Sequence, residues 1–146
     1  MRSTRFLLAL CLVTACATPQ KLATPSGRPE VFIANATRKA ALDAIVAAKL
    51  QKGLEIKSAT HYAVTAAGKV QGSLGASLLF GSRYDSTPEA RITYSVVDVP
   101  GGIRVYSRVD MVTNPGSGFE RSTDITDQMA TRLQAELEEL STQLAR

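Results

Sequence analysis

Residues 91–111, RITYSVVDVPGGIRVYSRVDM, decide the fold. Apolar and polar side chains alternate on both sides of the Pro-Gly-Gly triplet, and this period of two is typical of antiparallel strands joined by a tight turn. If the two glycines form the loop, Ile92 lies opposite Met111 and Tyr94 lies opposite Val109. The pattern therefore predicts a β-hairpin with one apolar face and one polar face.

A helix is predicted before this hairpin, over residues 38–52. Its apolar side chains recur at helical spacing, and alanines fill much of the rest. Asn35 or Thr37 can cap its first turn, and Gly53 stands where a left-handed residue ends a helix. A short strand over residues 30–34 precedes it. The predicted buried stripe consists of Leu42, Ile45, Val46, Lys49 and Leu50.

More strands and a long helix complete the predicted elements. Alternation over residues 54–66 predicts either one bent strand or two short strands. A last helix opens at Thr123 or Asp124, and one apolar stripe follows its length of about 30 Å. A coiled-coil partner is the alternative for this stripe, but a bare sheet face in the same chain favours intramolecular packing. The stripe consists of Met129, Leu133, Leu137, Leu140 and Leu144.

The N-terminus has the features of a secretory signal. Two arginines precede the apolar run 6–13, which is too short to span a bilayer. Residues 12–16, Leu-Val-Thr-Ala-Cys, follow, and they resemble the lipobox of bacterial lipoproteins. The resemblance implies cleavage before Cys16 and a diacylglycerol on its sulfur. A plain signal peptide cut close to the same position is the alternative.

The segment after the lipobox is predicted to be a tether. Residues 17–29, ATPQKLATPSGRP, contain three prolines and no aromatic residue. Proline disfavours helix, so the segment should be extended and reach at most about 40 Å. The chain then divides into a signal peptide (1–15), a lipidated cysteine with an extended tether (16–29) and a single α+β domain (30–146).

The mature chain is nearly neutral and lacks a free thiol. Removing residues 1–15 takes away two arginines and no acidic residue, so the net charge falls from +4 to +2. No basic cluster remains that would follow nucleic-acid phosphates, so no nucleic-acid partner is expected. Cys11 leaves with the signal and Cys16 takes the lipid. The domain is therefore expected to fold without disulfides.

The domain offers no catalytic or metal-binding motif. His61 is the single histidine, so a transition-metal site would have fewer than the usual three or four protein ligands. Residues 116–118, Gly-Ser-Gly, lack the flanks of a hydrolase nucleophile turn, and residues 72–77 lack the lysine of a phosphate loop. We expect no enzymatic activity, no metal and no cofactor.

Two segments are candidate interaction sites. The polar face of the hairpin carries arginine and tyrosine, which dominate binding hot spots, although a solubilising strand face is the alternative. Residues 72–81, GSLGASLLFG, form an uncharged apolar run that is either a central strand or a mobile flap over a cleft. The candidates are Arg91, Arg104, Tyr106 and Arg108 on the hairpin, and Leu74, Leu78, Leu79 and Phe80 in the flap.

The predicted fold class is α+β. The order β-α-β(3-4)-α gives an antiparallel sheet covered on one face by the long C-terminal helix. Together with the lipobox, the helix entry at residues 35–37, Gly53 before a strand and the hairpin turn at residues 100–102, this order resembles the helix-grip domains of the BamC-like envelope lipoproteins. The resemblance is architectural, and a fold does not establish a function.

Two functions remain as hypotheses. The first is a non-catalytic, membrane-anchored lipoprotein that binds or scaffolds another periplasmic or outer-membrane protein through its exposed sheet face. The alternative is a carrier of a small apolar ligand between the sheet and the C-terminal helix, which requires a pocket of roughly hundreds of cubic ångströms. Ala17 follows the lipobox cysteine. In proteobacterial lipoproteins that this signal resembles, aspartate at that position directs retention in the inner membrane. Since alanine stands there, we expect the protein at the periplasmic face of the outer membrane.

The lipobox makes a direct prediction. Cys16→Ala should abolish labelling by an alkyne fatty acid and release the protein from membranes, because stable anchoring needs two or more acyl chains on the chain terminus. Cys11→Ala, within the signal, is the matched control and should leave labelling intact. Unchanged labelling of the Cys16→Ala protein would contradict the prediction.

Overall fold

The computed structural model describes residues 22–70 and 87–145. The order of its elements confirms the predicted α+β class. The strands are β1 (Glu30–Ala34), β2 (Glu55–Ala59), β3 (Ala63–Lys69), β4 (Glu89–Val99), β5 (Gly102–Thr113) and β6 (Arg121–Asp124). The helices are α1 (Arg38–Gln51) and α2 (Ala130–Leu144), and a 3₁₀ turn (Asp127–Met129) leads into α2.

β5 is the strand around which the sheet is assembled. The described residues form a six-stranded antiparallel sheet in the order β1-β5-β4-β3-β2, with β6 also paired to β5. One edge of β5 pairs with β4 over residues 102–112. The other edge is shared, since β1 pairs with its first half and β6 with its last four residues. Alternation over residues 54–66 allowed one bent strand or two short strands, and the structure has two, β2 and β3. The strand β6 was not predicted.

The hairpin register differs from the prediction by two residues. Tyr94 lies opposite Ser107 rather than Val109. The cause is Gly102, which belongs to β5 and not to the loop: a Cβ there would meet the carbonyl oxygen of Ile33 at 2.2 Å. A slip of two residues returns each side chain to its own face. The predicted apolar and polar faces are therefore confirmed.

Both helices pack on the same face of the sheet. α1 lies over β3 and β4, and α2 lies over β1 and β5, so the C-terminal helix shares the face it was predicted to cover. In α2 the predicted stripe is confirmed at its centre. In α1 the prediction is wrong at Leu50, which is 56% exposed because the buried line of the helix runs through Ala41, Ile45 and Lys49. The core consists of Ile33, Ala41, Ile45, Val64, Tyr94, Val96, Ile103, Val105, Leu137 and Leu140.

The helix ends follow local signals in α1 but not in α2. Thr37 caps α1, since its hydroxyl oxygen accepts a hydrogen bond from the N–H of Ala40 at 3.3 Å, and Gly53 has a φ of 73°. Both predicted caps of α2 lie instead in β6, where the Asp124 carboxylate accepts a hydrogen bond from the N–H of Thr126 at 2.8 Å. The 15 residues of α2 span about 22 Å, less than the predicted length.

The end of the predicted tether is part of the folded structure. The N–H of Gly27 donates to the carbonyl of Thr24 at 3.0 Å and closes a turn. Pro29 is buried, and its carbonyl accepts a hydrogen bond from the N–H of Ser107 at 3.1 Å. The extended conformation predicted through residue 29 therefore does not hold for these residues.

Two predicted sites lie outside the described residues. One is Cys16 in the lipobox, and the other is the apolar run 72–81 with Leu74, Leu78, Leu79 and Phe80. Within residues 22–70 and 87–145, no helix has the length and apolar character needed to cross a membrane.

The close contact at Gly102 predicts a difference between two glycines. Gly102→Ala should lower the free energy of unfolding by about 1–3 kcal/mol, because the methyl group would press on the backbone of β1. Gly118→Ala is the matched control: its methyl group would meet no atom within 4 Å, so the change should stay within about 0.5 kcal/mol. Urea unfolding measures both, and equal midpoints would contradict the account of the register.

Candidate functional site

The candidate functional site lies on the face of the sheet that α1 and α2 leave uncovered. Arg104, Tyr106 and Arg108 occupy alternate positions of β5 on this face. Arg104 stands between Phe32 of β1 and Val97 of β4 in the strand register. These two apolar side chains are 46% and 41% exposed. We call Phe32, Val97, Arg104 and Tyr106 the open-face patch.

Sequence reasoning missed the two apolar members of this patch. Phe32 lies within the apolar run Val-Phe-Ile, where alternation cannot tell which side chain faces the core. Val97 had a usable signal, because it lies six residues after Arg91, which is predicted on the polar face, and an even separation keeps two strand residues on one face. Only the pairing of β1 with β5 places Phe32 beside Arg104.

The arginines of β5 are held to different degrees. Arg108 Nη2 lies 2.6 Å from Asp110 Oδ1, and its Nε lies 3.5 Å from Asp124 Oδ2. The hydrogen bond to Asp110 raises the pKa of Arg108. Arg104 Nη1 lies 3.6 Å from Glu30 Oε1, which is too long for a good hydrogen bond. The guanidinium of Arg104 is therefore the less tightly held of the two.

Arg91 lies on the same face but has a different role. Its Nη1 and Nη2 donate to the Glu120 carboxylate at 2.6 and 3.0 Å, and its Nε donates to Glu89 at 2.5 Å. The bonds to Glu120 and Glu89 raise the pKa of Arg91. Arg91 and the N–H of Gly116 together lower the pKa of Glu120 to about 2. Arg91 therefore ties the loop 114–120 to β4, and it does not share its contacts with Arg104, Tyr106 or Arg108.

The open-face patch continues into a polar groove of about 540 Å³. Tyr106 and Arg108 of β5 and Thr93 of β4 line it, and Arg28 and Pro29 form part of its wall. The groove therefore lies over the interior strands β4 and β5, next to the point where the chain enters β1.

A second polar cluster is buried between the two helices, on the opposite face of the sheet. Lys49 of α1 is 3% exposed, and its Nζ lies 2.7 Å from Glu136 Oε1 of α2. Tyr94 donates its hydroxyl hydrogen to Glu136 Oε2 at 2.5 Å, and Lys52 Nζ lies 2.6 Å from Oε1. The Lys49 ammonium also sits 4.6 Å from the centre of the Tyr94 ring, a cation–π contact. Glu136 thus holds three donors in place.

Burial and pairing act in opposite directions on this cluster. Burial alone would raise the pKa of Glu136, but hydrogen bonds from Lys49, Lys52 and Tyr94 outweigh it and lower the pKa to about 2. Burial lowers the pKa of Lys49 by more than the neighbouring Glu136 carboxylate raises it. Burial and the bond to Glu136 raise the pKa of Tyr94. At neutral pH the Glu136 carboxylate is therefore ionised and accepts all three hydrogen bonds.

The cavities on the helix side are of two kinds. The cavity beside the Lys49 cluster holds about 160 Å³, below the roughly 300–1,000 Å³ of small-molecule sites. A groove of about 830 Å³ lies between α1 and the β2–β3 turn, with half-buried Leu42 and Val46 and, at its edge, His61 and Asp98. His61 is exposed. In the described part of the chain, no group of three or more His, Cys, Asp or Glu residues is placed to hold a metal ion.

Comparison with known proteins identifies no relative: no protein-family model and no curated protein matches this chain. The resemblance to the BamC-like lipoproteins therefore stays a prediction. Function has to be argued from the side chains that the sheet and the helices bring together.

The buried cluster predicts a pH-dependent loss of stability. Glu136→Leu should lower the free energy of unfolding by about 3 kcal/mol at neutral pH, because it leaves the Lys49 ammonium buried without its counter-charge. The pKa of Glu136 is about 2 in the folded chain and 4.5 ordinarily. Its contribution is therefore complete above about pH 4.5 and is lost as the pH falls toward 2. Urea unfolding from pH 7 to pH 2 measures this difference between variant and wild type.

Two further variants separate this effect from a general loss of charge on α2. Glu139→Leu, at an exposed position of the same helix, should change stability by less than about 0.5 kcal/mol. Adding Lys49→Met to Glu136→Leu should restore most of the loss, since an apolar pair can replace a buried ion pair. A double variant as unstable as Glu136→Leu alone would contradict the electrostatic explanation.

Proposed function

We propose that this chain is a non-catalytic lipoprotein of the bacterial envelope, anchored through Cys16 to the periplasmic face of the outer membrane, that binds another envelope protein through the open-face patch. The observation that carries the proposal is the exposure of Phe32 and Val97, 46% and 41%, on either side of Arg104. The anchor is supported by the lipobox at residues 12–16, and the choice of membrane by Ala17.

The patch has the composition of a protein-binding hot spot. Arginine and tyrosine supply planar donors and a rigid apolar body, and two apolar neighbours exclude water around them. The backbone under the patch is fixed by the pairing of β1, β5 and β4, so binding requires little ordering of the chain. Arg104 approaches the Glu30 carboxylate through Nη1 alone, at 3.6 Å, so other donors of the guanidinium can bind a carboxylate of the partner.

The buried cluster supports a non-catalytic role. Lys49, Glu136 and Tyr94 bind one another, so the reactive groups of this cluster are used to hold the two helices together. His61 lies exposed at the β2–β3 turn, away from these residues. This arrangement supports the proposal that the cluster is a structural ion pair and not an acid–base site.

The carrier hypothesis has less support. The cavity of about 160 Å³ near α2 contains the ion pair of Lys49 and Glu136, which an apolar ligand would have to cover. The larger groove, of about 830 Å³, lies beside α1 and not beneath the C-terminal helix. It is bordered by charged Arg38, Lys39 and Asp98, which suits an apolar ligand poorly.

Site-specific photo-crosslinking in living cells tests the proposal. A photoreactive amino acid at Val97 should crosslink to one envelope protein, identified by mass spectrometry. The same amino acid at Lys39, whose side chain is 86% exposed on α1, is the matched control and should not. Equal crosslinking patterns at the two positions would contradict an interface on the open face.

Substitutions then measure the contribution of the patch. Arg104→Ala and Tyr106→Ala should each reduce recovery of the crosslinked partner about tenfold or more, as expected for hot-spot residues. Tyr106→Ala should change stability by less than about 1 kcal/mol, because its side chain lies on the solvent face. Arg104→Ala also removes the cation 3.6 Å from the buried Glu30 carboxylate, so its recovery is compared at equal amounts of folded protein. Arg132→Ala, on the exposed side of α2, is the control. If all three variants recover the partner equally, the patch is not the interface.

A further inference from the structure

The loop between β5 and β6 presents an apolar side chain to solvent. Phe119 is 82% exposed, more than Leu50, Tyr62 or any other large apolar side chain in the described residues. Single exposed apolar residues are common. Phe119 differs from most of them because hydrogen bonds fix the backbone of the loop that carries it.

The loop 114–120 is a rigid structure held by its own hydrogen bonds. The Glu120 carboxylate accepts hydrogen bonds from Nη1 and Nη2 of Arg91, at 2.6 and 3.0 Å, and from the N–H of Gly116 at 2.8 Å. Ser117 accepts a hydrogen bond from the N–H of Phe119 at 3.1 Å. The backbone is thus fixed with Phe119 pointing outward, and no loop ordering is needed when that side chain enters an apolar phase.

The N-terminal part of the chain reaches the sheet from the side of this loop. β1 runs antiparallel to β5, from Glu30 opposite Tyr106 to Ala34 opposite Gly102. Residues before Glu30 therefore approach along the half of β5 that pairs with β6. The charge of Arg28, in this segment, is close enough to Asp124 of β6 to lower the pKa of that carboxyl, after the larger effects of the hydrogen bonds from Thr126 and the charge of Arg108.

The remaining distance is short enough for a membrane contact. Residues 22–28 belong to the folded structure, where Thr24 and Gly27 close a turn, and the chain from Cys16 to Leu22 can add at most about 20 Å. Five residues separate Asp124 from Phe119, at most about 18 Å. A lipid on Cys16 would therefore hold Phe119 within reach of the bilayer surface, and the tether would make its insertion an intramolecular step.

We propose that Phe119 inserts into the lipid surface to which the chain is anchored. The proposal rests on the lipid anchor of the proposed function. The charges around the loop fit an anionic membrane, because Arg91 neutralises Glu120 and the neighbouring Arg121 is exposed. This contact places the open-face patch away from the membrane, since Arg104 and the loop lie toward opposite ends of β5, about 30 Å apart along the strand.

Tryptophan fluorescence tests the contact directly, because the chain contains no tryptophan. The full chain carrying Phe119→Trp is purified in its lipidated form and placed in vesicles of phosphatidylethanolamine and phosphatidylglycerol. Its emission should shift to shorter wavelength and lose intensity when the acyl chains are brominated. Phe32→Trp, at the other end of the sheet, is the matched control and should show neither change.

Each outcome separates the contact from the anchor. Flotation with the vesicles, lost with Cys16→Ala, reports the anchor. If the F119W protein floats with the vesicles but its emission is unaffected by brominated lipid, the contact is overturned and the anchor stands. Equal quenching of the F119W and F32W proteins overturns the proposed orientation as well. A chain that does not float overturns the anchor and, with it, the contact.

Discussion

The arrangement of this molecule depends on the pairing of β5 along both of its edges. β4 occupies one edge, while β1 and β6 share the other. Gly102 permits this arrangement, because any side chain there would collide with the Ile33 carbonyl and push β1 away. The strand register, the position of the chain's entry into the sheet and the location of the loop 114–120 all follow from these pairings.

The helix layer depends on an interaction of a different kind. Lys49, Glu136 and Tyr94 join α1, α2 and β4 through the half-buried carboxylate of Glu136. Burying charges costs free energy that their attraction does not always offset, so such a cluster is better suited to fixing one arrangement than to adding stability. We interpret it as the contact that sets α1 and α2 side by side, where apolar side chains alone would tolerate sliding.

The two layers give the molecule separate surfaces. Because both helices cover one face, the other is left with Phe32, Val97, Arg104 and Tyr106 over a rigid backbone. Because β1 pairs with the first half of β5, the N-terminal segment reaches the sheet near the middle of β5, on the edge that β6 also occupies. A chain anchored as we propose can face a surface at the end of the loop 114–120 and present a binding patch at the other end.

The sequence by itself determined which side chains of the hairpin share a face, because a period of two survives a register slip of two residues. It also limited the cap of α1 to Asn35 or Thr37, of which the structure uses Thr37, and it determined the central stripe of α2, since these are local patterns. Only the tertiary structure decided the register, the meeting of Lys49 with Glu136 and the exposure of Phe32. Each of these depends on a contact between segments far apart in the chain, and local periodicity carries no information about such contacts.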